Sequence, residues 1–215
     1  MTKAKTFRLL VLRHGNTFEA NQIATQVGSK TDMSLTEKGL NQAKQFLALL
    51  KKDQLSPFAI YSGSLQRQST TAKLIQEAFP QAGLYTHQDA LDEIDYGAWE
   101  GLTTEEIKAK WPNEYEHWVS QATWPNKIFQ SSLEKHQQAL QTWLEHIASN
   151  VPENGLVVAV SSNGIIRFML QWIPTLWNNL VSEQKIETYK VGTGCYCDLR
   201  FKGLVPEIAG WNLKP

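Results

Sequence analysis

Apolar residues along this chain follow two rhythms. Short aliphatic runs that stop at polar or glycine-containing turns read as buried strands: Phe7-Arg8-Leu9-Leu10-Val11-Leu12, Phe58-Ala59-Ile60-Tyr61, Leu84-Tyr85-Thr86 and Leu156 to Val160. Between them, apolar positions recur at helical spacing. Leu40, Ala43, Phe46, Leu47 and Leu50 mark an amphipathic helix, opened by Ser34-Leu35-Thr36-Glu37 as a capping box and closed by Lys51 and Lys52. Further helices are expected from Ser62-Gly63-Ser64 to about Phe79, over about 131–148, and after Ser161-Ser162-Asn163-Gly164. Gly194 to Phe201 alternates like a half-covered antiparallel strand. The alternation of strands and helices predicts an α/β fold, a three-layer α/β/α sandwich around a mostly parallel sheet. Residues 100–130, rich in tryptophan and broken at Trp111-Pro112 and Trp124-Pro125, are expected to form a helical lid insertion within one domain spanning 1–215.

Composition narrows the partners. Lysine plus arginine and aspartate plus glutamate number 21 each, and no basic stripe runs along any element. That balance speaks against nucleic acid. The apolar segment Ile165 to Ile173 is interrupted by Arg167 and Gln171 and stops before Pro174, so no membrane span is expected. Met1 to Thr6 leads straight into the first strand, which leaves no room for a signal peptide. Cys195 and Cys197, two residues apart on a strand, are poorly placed to pair and read as reduced packing residues. A cytoplasmic location follows. No His/Asp/Cys spacing of metal-binding type stands out.

The chemistry collects where the strands end. Arg13-His14-Gly15 terminates the first run; Ser62, Ser64 and Arg67 follow the second; Glu93 follows the third; Ser161, Ser162 and Asn163 follow the fourth. In open parallel sheets, ligands sit outside the carboxyl ends of the strands, so these groups are expected on one rim. Two guanidinium forks, an imidazole, hydroxyls and free amides define an oxyanion pocket, most naturally for a phosphoryl group. Asp92 and Asp95 alternate away from Glu93 and read as solvated or turn-capping carboxylates.

These ordered pieces resemble the histidine phosphatase superfamily, which includes the cofactor-dependent phosphoglycerate mutases. The resemblance is carried by Leu12 to Thr17, by Ser34 to Gly39 with Gln42-Ala43, and by Tyr61 to Arg67 with Thr70, Thr71 and Ala72. It continues through Leu91 to Gly101 and from Val157 to Arg167. It implies phosphoryl transfer through a phosphohistidine on a small-molecule phosphate ester, with no cofactor and no metal. His14 would be the nucleophile, Arg13 and Arg67 the clamp on the phosphoryl oxygens, and Glu93 the general acid and then base. Asn21 would donate to the same phosphate, although its offset from the motif is one residue longer than in many relatives.

Two departures bear on activity. Where relatives carry a second histidine after the fourth strand, this chain has Ser162. A serine donates one hydrogen bond but no charge, and losing one such donor costs on the order of 10²–10³ in rate. Ser162 and the amide of Asn163 would still bind the anion. His87, near the third strand, is a candidate to swing in, against an expected structural role. The Gly-Glu-Ser of relatives is Phe129-Gln130-Ser131-Ser132 here, and Ser131 and Ser132 read as helix caps, Ser131 pairing with Glu134. Stretch 100–130 lacks a double arginine and offers only Lys108, Lys110 and Lys127. That points away from a mutase and toward an ester with an apolar or uncharged body. The reading favoured is a slowed phosphomonoester hydrolase; the alternative is a catalytically weak phosphate-binding or regulatory protein on the same scaffold. The motifs leave the oligomeric state open.

Overall fold

The computed structural model describes residues 4–169 and 188–215. Among these, the strands β1 (Thr6–Arg13), β2 (Ala59–Ser62), β3 (Thr86–His87), β4 (Gly155–Ser161), β5 (Tyr196–Lys202) and β6 (Val205–Leu213) form one sheet, ordered β3-β2-β4-β1-β5-β6. The first four run parallel to one another; β5 pairs antiparallel with β1, and β6 antiparallel with β5. The helices are α1 (Glu37–Lys52), α2 (Gln66–Ala78), α3 (Thr104–Lys110), α4 (Pro112–Gln121), α5 (Leu133–Asn150) and α6 (Asn163–Met169). Residues 170–173 of the apolar segment noted above lie outside the described residues.

The sheet is covered on both faces, which is why its central strands are apolar throughout. Leu10 and Leu12 of β1 meet Phe46 and Leu50 of α1 and Ala72 and Ile75 of α2. Leu9 and Val11 point the other way, into a core with Trp143 and Ile147 of α5 and Ile165 and Phe168 of α6. The expected three layers are present. No helix among the described residues is long and apolar enough to cross a membrane. Cys195 and Cys197 are free thiols, both buried.

Several boundaries differ from the sequence expectations. Thr36, not Ser34, caps α1: its hydroxyl accepts from Gly39 N at 3.1 Å. Thr36 is held there by its own amide donating to Asn16 O at 3.0 Å, while Ser34 Oγ donates to Gln66 Oε1 at 3.0 Å. β3 is shorter and later than Leu84-Tyr85-Thr86, because only Thr86 and His87 find partners, in Tyr61 and Ser62, and Leu84 is left exposed. Ser132 alone caps α5, accepting from Lys135 N at 3.3 Å and donating to Glu134 Oε2 at 2.8 Å. Ser131 instead accepts from Asp95 N at 2.8 Å, which ties the start of α5 to the segment carrying Glu93. β6 has no counterpart in the sequence reading. It is an edge strand with mostly exposed or half-exposed positions and a proline, reached through a two-residue turn at Gly203, whose φ is 61°.

The 100–130 insertion folds into α3 and α4 followed by an irregular return. Trp118, Trp124 and Phe129 pack edge-on against one another, with Phe129 also edge-on to Trp99 and Tyr96. These aromatic rings weld the insertion to the body rather than standing free.

Candidate active site

Strand register gathers the site. Arg13 lies opposite Ser161 across β1 and β4, and Ser62 lies opposite both Val160 and His87. Beyond the strands the pairing persists for one more bond, His14 N to Ser161 O at 3.1 Å and Gly63 N to Val160 O at 3.2 Å. The four strand termini therefore end level, and α2, beginning at Gln66, carries Arg67 in its first turn.

A cavity of about 600 Å³ opens on this rim. It brings together Arg13, His14, Arg67, Glu93 and Asn163 of the residues expected from sequence. Asn21 is exposed, and it is Asn16 that reaches the cavity wall. Ser162 is buried just behind the wall, where its hydroxyl accepts from Gln68 Nε2 at 3.0 Å.

His14 Nδ1 is 2.8 Å from Gly15 O. Only an N–H can bond a carbonyl, so the proton sits on Nδ1 and Nε2 keeps its lone pair. Burial pushes the imidazole pKa well below its ordinary value, and the neighbouring charges of Arg13 and Arg67 push the same way. The ring is thus neutral, with the Nε2 lone pair free. Arg67 donates from Nη1 to Thr31 O at 2.7 Å and from Nη2 to Gly28 O at 3.0 Å; Arg13 donates from Nη1 to Val191 O at 2.6 Å. Backbone carbonyls fix both guanidinium groups without neutralising them, which leaves their charge for an anion.

Glu93 is 5% exposed. Burial raises its pKa, opposed by the amide of Ile94 on Oε1 at 3.0 Å, by Arg67, by the amide of Gly164 on Oε2 at 3.3 Å, and by Arg13. Desolvation wins, so the carboxyl holds a proton more readily than an exposed glutamate. Its neighbours behave as turn caps: Asp92 Oδ1 accepts from Ser64 N at 2.6 Å and Ser64 Oγ at 2.9 Å, and Asp95 Oδ1 accepts from Gly97 N at 3.0 Å.

His87 faces Asp92, with Nε2 3.2 Å from Oδ2, and does not line the cavity. Among the described residues, His87, Asp89 and Asp92 are the one grouping whose ligand atoms could surround a metal, and it lies on the exposed rim. Two cavity residues escaped the sequence reading. Tyr96 is 2% exposed and its hydroxyl lies beside Glu93 across Gly164. Arg167 is 4% exposed, and the signal for it was available: an arginine embedded in Ile165-Ile166-Arg167-Phe168 has to be buried with its helix.

Comparison with known proteins places this geometry. The profile of the histidine phosphatase superfamily (branch 1) matches residues 9–214. Phosphoserine phosphatase 1 of Hydrogenobacter thermophilus is 32% identical over 165 residues, covering 75% of this chain and 74% of that protein. A 2,3-bisphosphoglycerate-dependent phosphoglycerate mutase of a Bradyrhizobium species is 30% identical over 184 residues, covering 84% and 88%. The fold is shared with mycobacterial glucosyl-3-phosphoglycerate phosphatase, at a TM-score of 0.74 and 24% identity over 97% of this chain and 99% of that one. The chain belongs to the histidine phosphatase superfamily, branch 1, and with it to the phosphatase class of hydrolases.

Proposed function

We propose that this protein hydrolyses small phosphate monoesters through a phosphohistidine on His14. Nε2 of His14 attacks phosphorus in line with the ester oxygen, and the P–O bond to the alcohol breaks as the P–N bond forms. Glu93 gives its proton to the departing oxygen. Glu93, now a carboxylate, takes a proton from water as that water attacks phosphorus, and P–N cleavage releases inorganic phosphate and the neutral imidazole. Arg13 and Arg67 bind the non-bridging oxygens, whose charge is the main thing the site has to stabilise. Asn163 adds a polar wall, α3 and α4 act as a lid, and no step calls for a cofactor or metal.

One observation carries this reading: a neutral imidazole and a carboxyl of raised pKa share a cavity with two guanidinium groups that no carboxylate among the described residues ion-pairs. The expected rate is lowered by the absence of a second imidazole at Ser162. Acid-quench trapping tests the mechanism. Wild type should carry an acid-labile phosphoryl group after mixing with a labelled ester, and His14→Ala should carry none. Equal labelling of the two would end the proposal.

The burial of Ser162 favours a second reading, a phosphate binder with little turnover. Vanadate or phosphate would then raise the melting temperature while an aryl phosphate stays unhydrolysed above the His14→Ala blank.

A further inference from the structure

The imidazole of His14 is held through one ring nitrogen, with Nδ1 2.8 Å from the carbonyl of Gly15. That carbonyl shares a peptide unit with the amide of Asn16, and the amide donates to Gln42 Oε1 at 2.8 Å. A peptide unit is planar, so a bond that fixes its N–H also fixes the direction of its C=O. Donation from the N–H polarises the unit and strengthens the carbonyl as an acceptor. A continuous line of hydrogen bonds therefore runs from Gln42 to His14, and Gln42 stands at its far end, behind the cavity wall.

The side-chain amide of Gln42 can face only one way. Asn16 N needs an acceptor and Thr193 O needs a donor, so Oε1 meets the first and Nε2 the second, at 2.8 Å each. Thr193 is itself tied to the site, because the next amide, Gly194 N, donates to Arg13 O at 3.1 Å and to His14 O at 3.2 Å. Helix α1 presses on the same peptide unit. Its cap Thr36, then Gly39 and Gln42, recur every three residues and so share one face. Asn16 O accepts from Thr36 N at 3.0 Å, and a β-carbon on Gly15 would run into the Gly39 carbonyl. Two bare glycines let the helix touch the peptide unit, which brings Gln42 within reach of it.

We propose that Gln42 is a positioning residue for His14: through the Gly15–Asn16 peptide unit it keeps the ring proton on Nδ1 and Nε2 aimed at phosphorus. This rests on the phosphohistidine reading and adds to it a residue that touches neither ester nor phosphoryl group. Elsewhere the group behind a functional histidine bonds the ring directly. Here a peptide unit stands between the two.

Gln42→Met keeps the side-chain length and removes both acceptor and donor. Its kcat should fall about 10- to 100-fold, the range met when the partner behind a functional histidine is lost. An alkyl phosphate and p-nitrophenyl phosphate should lose equally, since both depend on the same attacking nitrogen. Inhibition by inorganic phosphate should stay within about threefold of wild type, because Arg13 and Arg67 keep their own carbonyl partners. Nitrogen NMR of the His14 ring locates the proton: wild type should show Nδ1 protonated and Nε2 bare, and Gln42→Met a mixture of tautomers. Unchanged kcat, an unchanged single tautomer, or phosphate affinity lost in step with kcat overturns the assignment. If Gln42→Met does not fold, Gln42→Glu carries the test. It keeps an acceptor for Asn16 N, so it should keep the wild-type tautomer, and a mixture there overturns the assignment too. With no ester turned over above the His14→Ala blank, the hydrolase reading fails, yet the tautomers of wild type and Gln42→Met still decide whether Gln42 holds the ring.

Discussion

The side-chain amide of Gln68 donates to the hydroxyl of Ser162 at 3.0 Å, and both residues are shut off from solvent. The same amide nitrogen donates to Leu91 O at 3.0 Å, and Oε1 accepts from Leu65 N at 3.3 Å. One glutamine thus joins the end of β4, the start of α2 and the segment that leads into Glu93. A larger side chain at 162 would start from this buried contact with Gln68.

Restoring an imidazole at 162 should therefore require two changes. Ser162→His alone overpacks this spot and should cost about 1–3 kcal/mol of stability, with turnover no better than wild type. Ser162→His combined with Gln68→Ala should recover the stability and exceed wild-type turnover. Thermal melts and kcat for the four proteins of the cycle decide it. A single Ser162→His that is both faster and fully stable would show that Gln68 offers no obstruction.

Much of this was legible in the chain because the strands are covered on both faces and end in register. Continuous apolar runs such as Phe7 to Leu12 and Leu156 to Val160 have few alternatives to buried strands, and the rim that holds Arg13, His14, Arg67 and Glu93 follows from their ends. What was not legible depends on contacts between segments distant in sequence. The cap of α1 moved from Ser34 to Thr36 because Asn16, across the site, holds Thr36. β6 hides because an edge strand needs no apolar face, so its alternation is weak. Arg167 was visible as a buried arginine, but its placement at the cavity depends on how α6 packs under Trp118.

Gly164 is a second point where the site leaves no room. A β-carbon there would stand 2.5 Å from Glu93 Oε1 and nearer still to the Tyr96 hydroxyl oxygen. Gly164→Ala should push the carboxyl out of line with the leaving oxygen and lower kcat by about 10²-fold, the scale of a 1 Å misplacement. The effect should be large for an alkyl phosphate and small for p-nitrophenyl phosphate, whose leaving group hardly needs the proton. Equal loss on both esters would point to a distorted phosphate clamp instead.

Asp92 anchors the loop between β2 and α2 through the Ser64 amide and hydroxyl. Asp92→Ala should cost about 1 kcal/mol, the net value of such hydrogen bonds at a partly exposed position. Because that loop delivers Arg67, KM for the phosphate ester should rise while the slope of rate on leaving-group pKa stays as in wild type. Urea titration and the two kinetic constants check both parts.

Acidity should act on the protein through two buried groups of opposite sign. In the proposed mechanism His14 attacks only when neutral, and its pKa lies well below the ordinary 6.5. The acid limb of kcat/KM should therefore fall below pH 6.5 rather than at it. The same mechanism needs Glu93 protonated at the start, and burial lifts its pKa above 4.5, so the alkaline limb should follow that raised value and vanish in Glu93→Gln. Stability responds as well. Between the lowered pKa of folded His14 and 6.5, the unfolded chain binds the proton that the folded protein refuses, so stability falls as pH drops through that window. Between 4.5 and the raised pKa of folded Glu93, the folded protein keeps a proton that the unfolded chain has lost, so stability falls as pH rises. His14→Gln removes the first contribution and leaves the second. Urea unfolding of wild type and His14→Gln from pH 7 to 5 should show the wild type losing more stability on acidification. Parallel curves would mean that His14 is solvated enough to take up its proton without penalty, and the neutral nucleophile would lose its physical basis.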